Sequence, residues 1–390
     1  MHHFNLFGNW MIYLDNAATS FPKPESVYVA MDQFARKQLA NPGRAGHQMA
    51  LASEHALEDC RHRLNQLFHG KNPDRFIFTL NCTDALNLAF SGVLQPGDHV
   101  ITTNLEHNSV SRPLRAMELA GKITLTRVLA DAAGTIDPAD IEKSITPKTR
   151  LVALTHASNV LGTVQPIREV GKFLREKDLL FLVDAAQTAG VLPVDLMADY
   201  IDLLAVPGHK GLMGPTGTGF LYVGDRVSIV PVRQGGTGGD SSSETQPMEL
   251  PYYLEAGTPN VLGVVGLAAG IQWVTTETLE KIHRHEVELV ERLWQRLDEI
   301  PGLAVFGHRT MSRRVGTISF RSEMIPATDV GAILDHNFAI AIRPGLHCAP
   351  YIHRGLDTFP DGTIRVSPGP FNTETEIDTL ADALQQIFSM

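Results

Sequence analysis

The chain has 390 residues, 43% of them hydrophobic and 19% charged, with a formal net charge of −10. That length predicts two or three domains around a large buried core, and the acidic balance, without a basic run, argues against a nucleic-acid surface. No apolar stretch nears the roughly 20 residues that span a bilayer.

The first residues, Met1-His2-His3-Phe4-Asn5, lack the pattern of a signal peptide. Cys60, Cys82 and Cys348 are odd in number and far apart, so reduced thiols in a cytoplasmic setting are expected. Residues 13–19 read as a short strand running into a turn, and a helix is predicted over about 25–39. The run Asn41-Pro42-Gly43-Arg44-Ala45-Gly46-His47 breaks that helix. Residues 54–68 repeat with helical spacing, with Leu57, Leu64 and Leu67 on one side and Cys60 as a small buried residue. Residues 75–79 open a sheet, and Asn81-Cys82-Thr83-Asp84-Ala85 begins a helix whose free N–H groups can hold a phosphate, with Thr83 as the hydroxyl donor.

Further strands are predicted over 97–103, 122–128, 151–156, 179–184 and 201–206, with helices between them. This alternation specifies a mainly parallel α/β sheet covered on both faces. The glycines of 213–222 lack the Gly-Lys-Ser/Thr of a nucleotide loop and precede a strand, so that reading is rejected. By composition, residues 234–243 form a linker. Residues 260–297 read as strongly helical, leading into a smaller domain with strands near 317–320, 339–343 and 363–366 and a last helix from Glu374. The expected division is a large domain over 21–265 and a small α+β domain made of 1–20 and 266–390.

The most informative stretch is the apolar run that ends in Asp184, read with Gly208-His209-Lys210 after the next strand. Open α/β sheets place ligands at the carboxyl ends of their strands, and here those ends carry an acid and a lysine. Pyridoxal phosphate needs both: a lysine for its aldehyde and an anion beside its ring nitrogen. At about 4 Å and an effective dielectric near 20, a carboxylate and a pyridinium attract by roughly 4 kcal/mol, enough to hold the ring proton at neutral pH.

Asp184-Ala185-Ala186-Gln187 and Gly208-His209-Lys210 resemble the cofactor signatures of the class V aminotransferase group. Within that group the chain most resembles the cysteine desulfurases and selenocysteine lyases, from Tyr13-Leu14-Asp15-Asn16-Ala17-Ala18-Thr19 to Arg365. The resemblance implies a seven-stranded, mainly parallel sheet sandwiched by helices, with a smaller α+β domain. It implies that Lys210, Asp184, Gln187, His209, Thr83, Cys82, Asn159 and His107 hold the cofactor, with His107 stacked on the ring and Asn159 on the ring oxygen. Two departures stand out. Cys82 replaces part of a Gly-Thr-Thr-like run, and Pro207 stands where many relatives have a phosphate-binding serine. Thr258 is expected to reach the phosphate site of a second copy, which makes a homodimer. Arg365 is the expected clamp for a substrate carboxylate, with Arg343, Asn159, His47 and Arg44 near substrate.

Arg343-Pro344-Gly345-Leu346-His347-Cys348-Ala349 is the second informative stretch. A thiol beside an arginine and a histidine on a Gly/Pro loop fits the electropositive surroundings that favour thiolate. A buried free thiol, or a metal pair with His347 or His353, is the alternative, although the spacing makes a poor zinc motif. The run resembles the nucleophile loop of one desulfurase subgroup. The resemblance therefore implies catalysis by Lys210, Cys348 and His107, conversion of L-cysteine to L-alanine, and transfer of sulfur through Cys348 to an acceptor protein. L-selenocysteine is the alternative substrate, and another lyase or a transaminase of the same fold the alternative activity. No metal is implied.

Overall fold

The computed structural model describes residues 11–43, 46–238 and 242–389. Its largest sheet has seven strands in the order Phe76–Thr79, Gly219–Val223, Leu203–Pro207, Leu180–Asp184, Thr149–Thr155, Asp98–Thr103 and Ile123–Val128. The last five run parallel, and Gly219–Val223 lies antiparallel to both its neighbours.

Side chains alternate across a strand, and here both faces are apolar. Phe181, Val183, Leu204 and Val206 enter one core; Leu180, Leu182, Leu203 and Ala205 enter the other. Each of these side chains larger than alanine contributes roughly 1.5–3 kcal/mol on burial. Helices Gln48–Leu67, Ile167–Glu176 and Val261–Glu277 close the first core through Leu64, Leu174 and Leu267. Helices Cys82–Val93 and Asn108–Leu119 close the second through Phe90 and Leu114. With both faces covered, the strand ends are what remains for chemistry.

A further core gathers Leu14, Leu293, Phe320, Ile364 and Leu384. It rests on a four-stranded antiparallel sheet ordered Arg343–Gly345, Thr363–Val366, Ile318–Ser322 and Leu303–Phe306. Strand Ile12–Tyr13 pairs in parallel with Ile340–Ala341, which ties the described N-terminal segment to this core.

The continuous helix predicted over 260–297 is two helices, Val261–Glu277 and Leu279–Asp298. Thr278 lies between them with φ at 71°, and its hydroxyl accepts from Lys281 N to start the second. A threonine in the left-handed region interrupts the helical hydrogen bonding, which periodicity alone does not reveal. The first helix packs into the large core through Val261, Val264, Leu267 and Ile271. The expected boundary after residue 265 falls inside this helix. Gly270 makes the close packing possible: a Cβ there would run into Leu212 O, on the loop that carries Lys210. Among the described residues no helix is long and apolar enough to cross a membrane.

Candidate active site

A cavity of about 190 Å³ opens where the parallel strands end. Asp184 closes its own strand, and Lys210 follows the Leu203–Pro207 strand by three residues. Asn159 follows Thr149–Thr155, and His107 follows Asp98–Thr103. Cys82 and Thr83 open the helix after Phe76–Thr79. All of these line one cavity, together with Gln187, His209, Arg343, His347 and Arg365.

Asp184 is 2% exposed. Its Oδ1 accepts from Ala186 N at 2.9 Å and from the Cys82 thiol at 3.5 Å. Oδ2 takes no hydrogen bond among the described residues and is left for a cationic N–H in the cavity. Burial raises the Asp184 carboxyl above the usual range, opposed by the Ala186 amide and by Lys210. Burial also lowers Lys210, opposed chiefly by Asp184. A lysine whose pKa burial depresses, and which donates no hydrogen bond among the described residues, gives up its proton more readily, and it is the unprotonated amine that an aldehyde requires.

The helix at Cys82 offers an anion cradle. Asn81 caps it by accepting from Asp84 N at 2.9 Å, which leaves the amides of Cys82 and Thr83 without helical partners. The Thr83 hydroxyl is exposed on the cavity wall. An unpaired carboxylate oxygen, an amine and an anion cradle are what the ring nitrogen, aldehyde and phosphate of pyridoxal phosphate call for. The residues present therefore fit the group.

His107 caps the next helix: Nδ1 accepts from Ser109 N at 3.1 Å and pairs with Ser109 Oγ at 2.8 Å. Burial, then the nearby Lys210, pulls its pKa down to about 4. The ring is neutral near pH 7, and because Nδ1 accepts, its proton is assigned to Nε2. His209 is likewise lowered to about 4 by burial, with Nδ1 at 3.1 Å from Thr19 Oγ1. Gln187 Nε2 donates to Ala17 O at 3.2 Å, and Asn159 Nδ2 donates to His347 O at 2.7 Å. Asn159 thus ties a strand end to the cysteine loop.

Arg343 and Arg365 converge because their strands pair them directly opposite one another. Like charges in such a pair are unfavourable. Arg365 is 1% exposed; Nη2 donates to Asp15 Oδ1 at 2.6 Å and Nη1 to Asn159 O at 3.0 Å. Arg343 Nη2 lies 3.6 Å from Cys348 Sγ. Cys348 is half-buried, and it and His347 have φ of 58° and 49°. Successive left-handed residues that are not glycine store roughly 1–3 kcal/mol each and persist only where the surroundings hold them. Here Asn108 N donates to Cys348 O at 2.6 Å, and Asn159 holds the carbonyl before it. Among the described residues no group of three His, Cys, Asp or Glu side chains is placed to hold a metal.

Two expected residues lie elsewhere in this chain. His47 caps helix Gln48–Leu67, its Nδ1 accepting from Ala50 N at 3.2 Å. Thr258 lines a separate groove of about 570 Å³ with Gly43, Arg61, Gly238 and Glu255. Arg44 lies outside the described residues. The Cys82 side chain faces Asp184, while its amide is one of the two at the start of the helix.

The sequence reading missed the N-terminal strap. Asp15 meets Arg365, Ala17 meets Gln187, and Ser20 Oγ donates to Lys210 O at 2.9 Å. Lys23 Nζ donates to His209 O at 2.6 Å, and burial pulls its pKa down to about 8. A lysine between two prolines is the one local signal, because apart from Ser20 Oγ, which accepts from Lys23 Nζ at 2.6 Å, the partners lie far along the chain.

The model of the aminotransferase class-V family matches residues 12–380. The chain belongs to the aminotransferase class-V family. It is 35% identical to a probable cysteine desulfurase of Methanothermobacter thermautotrophicus, covering 97% of this chain and 95% of the relative. It is 32% identical to a cysteine desulfurase of Escherichia coli O157:H7, covering 97% and 93%. Among solved structures, the apo cysteine desulfurase of Thermococcus onnurineus NA1 superposes with a TM-score of 0.92 at 34% identity, covering 97% and 95%. The Escherichia coli cysteine desulfurase CsdA, as its S-sulfonic acid, gives 0.88 at 28% identity, covering 97% and 95%. Class-V members generally depend on pyridoxal phosphate.

Proposed function

We propose that the protein is a pyridoxal-phosphate-dependent cysteine desulfurase that converts L-cysteine to L-alanine and keeps the sulfur on Cys348. One observation carries this reading: a cysteine held beside Arg343 next to a cavity where Asp184 meets a lysine whose pKa is lowered by burial. The relatives' names support it.

When bound, pyridoxal phosphate supplies an aldehyde for the substrate amine and a ring that draws electrons from Cα. Asp184 Oδ2 would hold the ring N–H, the amides of Cys82 and Thr83 with the Thr83 hydroxyl would hold the phosphate, and Lys210 would hold the aldehyde. His107, neutral, would cover the ring, while Gln187 and Asn159 would face its oxygen. Arg365 takes the substrate carboxylate on its remaining N–H groups, which fixes the Cα–H bond relative to Lys210. The Lys210 amine takes up the Cα proton and later returns a proton to Cβ. The Cys348 sulfur attacks the substrate sulfur, so that an S–S bond forms as the Cβ–S bond breaks. The balance is one cysteine and one enzyme thiol giving one alanine and one enzyme persulfide, with no net oxidation.

Two further parts of the reading rest on resemblance and on surface shape. The groove at Thr258 and the cap at His47 suit contact with a second copy, with Thr258 entering the partner's phosphate site. The persulfide passes to an acceptor protein. The decisive experiment is mass spectrometry of the Cys348 peptide after L-cysteine treatment. One added sulfur on Cys348, with alanine released in equal amount, is the expected result. Alanine release with Cys348 unmodified would overturn the proposal, and amino transfer to a keto acid would replace it.

A further inference from the structure

The cavity collects Arg343 and Arg365 beside Lys210, and the two guanidiniums make a positive field that would draw in any small carboxylate. One acidic side chain stands against that field at the clamp itself. Asp15 Oδ1 accepts from Arg365 Nη2 at 2.6 Å, and 20% of its side chain is exposed. We propose that Asp15 sets the specificity of the carboxylate clamp: as a resident carboxylate sharing Arg365 with the substrate, it weakens the hold on any acid that lacks an α-amino group. This inference rests on the reading of Arg365 as the clamp.

The hydrogen count allows sharing. Each terminal guanidinium nitrogen carries two hydrogens. One on Nη2 goes to Asp15 and one on Nη1 to Asn159 O. One on each nitrogen remains, which a carboxylate can take at two points. The arriving carboxylate then lies on the same guanidinium as Asp15, and the two negative charges repel.

The backbone that carries Asp15 is fixed, which keeps its carboxylate within reach of Arg365. Its neighbours are pinned where Asn16 N donates to Ser367 O at 3.1 Å and Ser367 N to Leu14 O at 2.8 Å. The Tyr13 hydroxyl also donates to Asp15 O at 3.1 Å. A simple acid, held only through its carboxylate, binds against this repulsion. An amino acid gains a second attachment through its amino group at the Lys210 side of the cavity and tolerates it. Discrimination therefore comes from a repulsive contact as well as from an attractive one.

The test is calorimetric binding to the holoenzyme of 3-mercaptopropionate, which has the carboxylate and thiol of cysteine but no amino group. Asp15→Asn keeps the shape and an oxygen for Nη2 while removing the charge. The expected result is a Kd at least tenfold lower than wild type, with cysteamine, which lacks the carboxylate, unchanged. Adding Arg365→Lys to Asp15→Asn should abolish the gain. Asp15→Ser is the second variant should the first fail to fold. An unchanged or higher Kd in a folded Asp15 variant overturns the proposal. The parent reading is judged separately: if Arg365→Lys alone leaves 3-mercaptopropionate binding as in wild type, the clamp assignment itself falls and the role of Asp15 with it.

Discussion

Asp184→Asn separates the two consequences of putting a carboxyl in a dry strand end. Asparagine has the same shape, and its oxygen can keep the bonds from Ala186 N and the Cys82 thiol. The charge facing the cavity is lost. A carboxylate and a pyridinium about 4 Å apart at an effective dielectric near 20 attract by about 4 kcal/mol. At about 1.4 kcal/mol per factor of ten, kcat/KM for alanine release should fall by about 10³-fold. Stability should move the other way. Burial raises the folded-state pKa of Asp184, so the folded apoprotein holds this proton more tightly than the unfolded chain does. Its ionisation therefore costs stability as pH rises above the unfolded value, and asparagine removes that cost. Steady-state kinetics and a thermal melt of the apoprotein at pH 7 check both arms. A loss of activity below about tenfold, or an apoprotein melting clearly lower than wild type, would refute the reasoning.

Lys210→Ala should give a colourless protein without turnover; absorbance after reconstitution with the cofactor checks it, and normal turnover would remove Lys210 from the chemistry. Cys348→Ala should still bind cofactor and cysteine but release no alanine in a single-turnover assay. Glu286 offers a pH test outside the site: burial raises its carboxyl from 4.5 to about 8, with no donor or cation among the described residues to oppose it. Its folded pKa lies above the unfolded one, so the stability it allows is full below about pH 4.5 and declines until about pH 8. Glu286→Gln should flatten the fall of the melting temperature across that window. Part of the slope should remain, because burial also raises Glu106 to about 8.

The sequence by itself determined the sheet and the strand-end chemistry. Apolar runs such as Leu180–Asp184 are buried on both faces, and that pattern is local. The acid, the lysine and the turn at residues 81–83 each sit at a short distance from such a run, so they are legible together. What the tertiary structure alone decided is how distant segments meet. Asp15 and Arg365 are 350 residues apart, and Asn159 meets the cysteine loop across 188. The register that sets Arg343 opposite Arg365, the left-handed pair at His347 and Cys348, and the break at Thr278 leave no periodic mark. These features depend on charge, burial and backbone geometry summed over several segments, which no window of sequence contains.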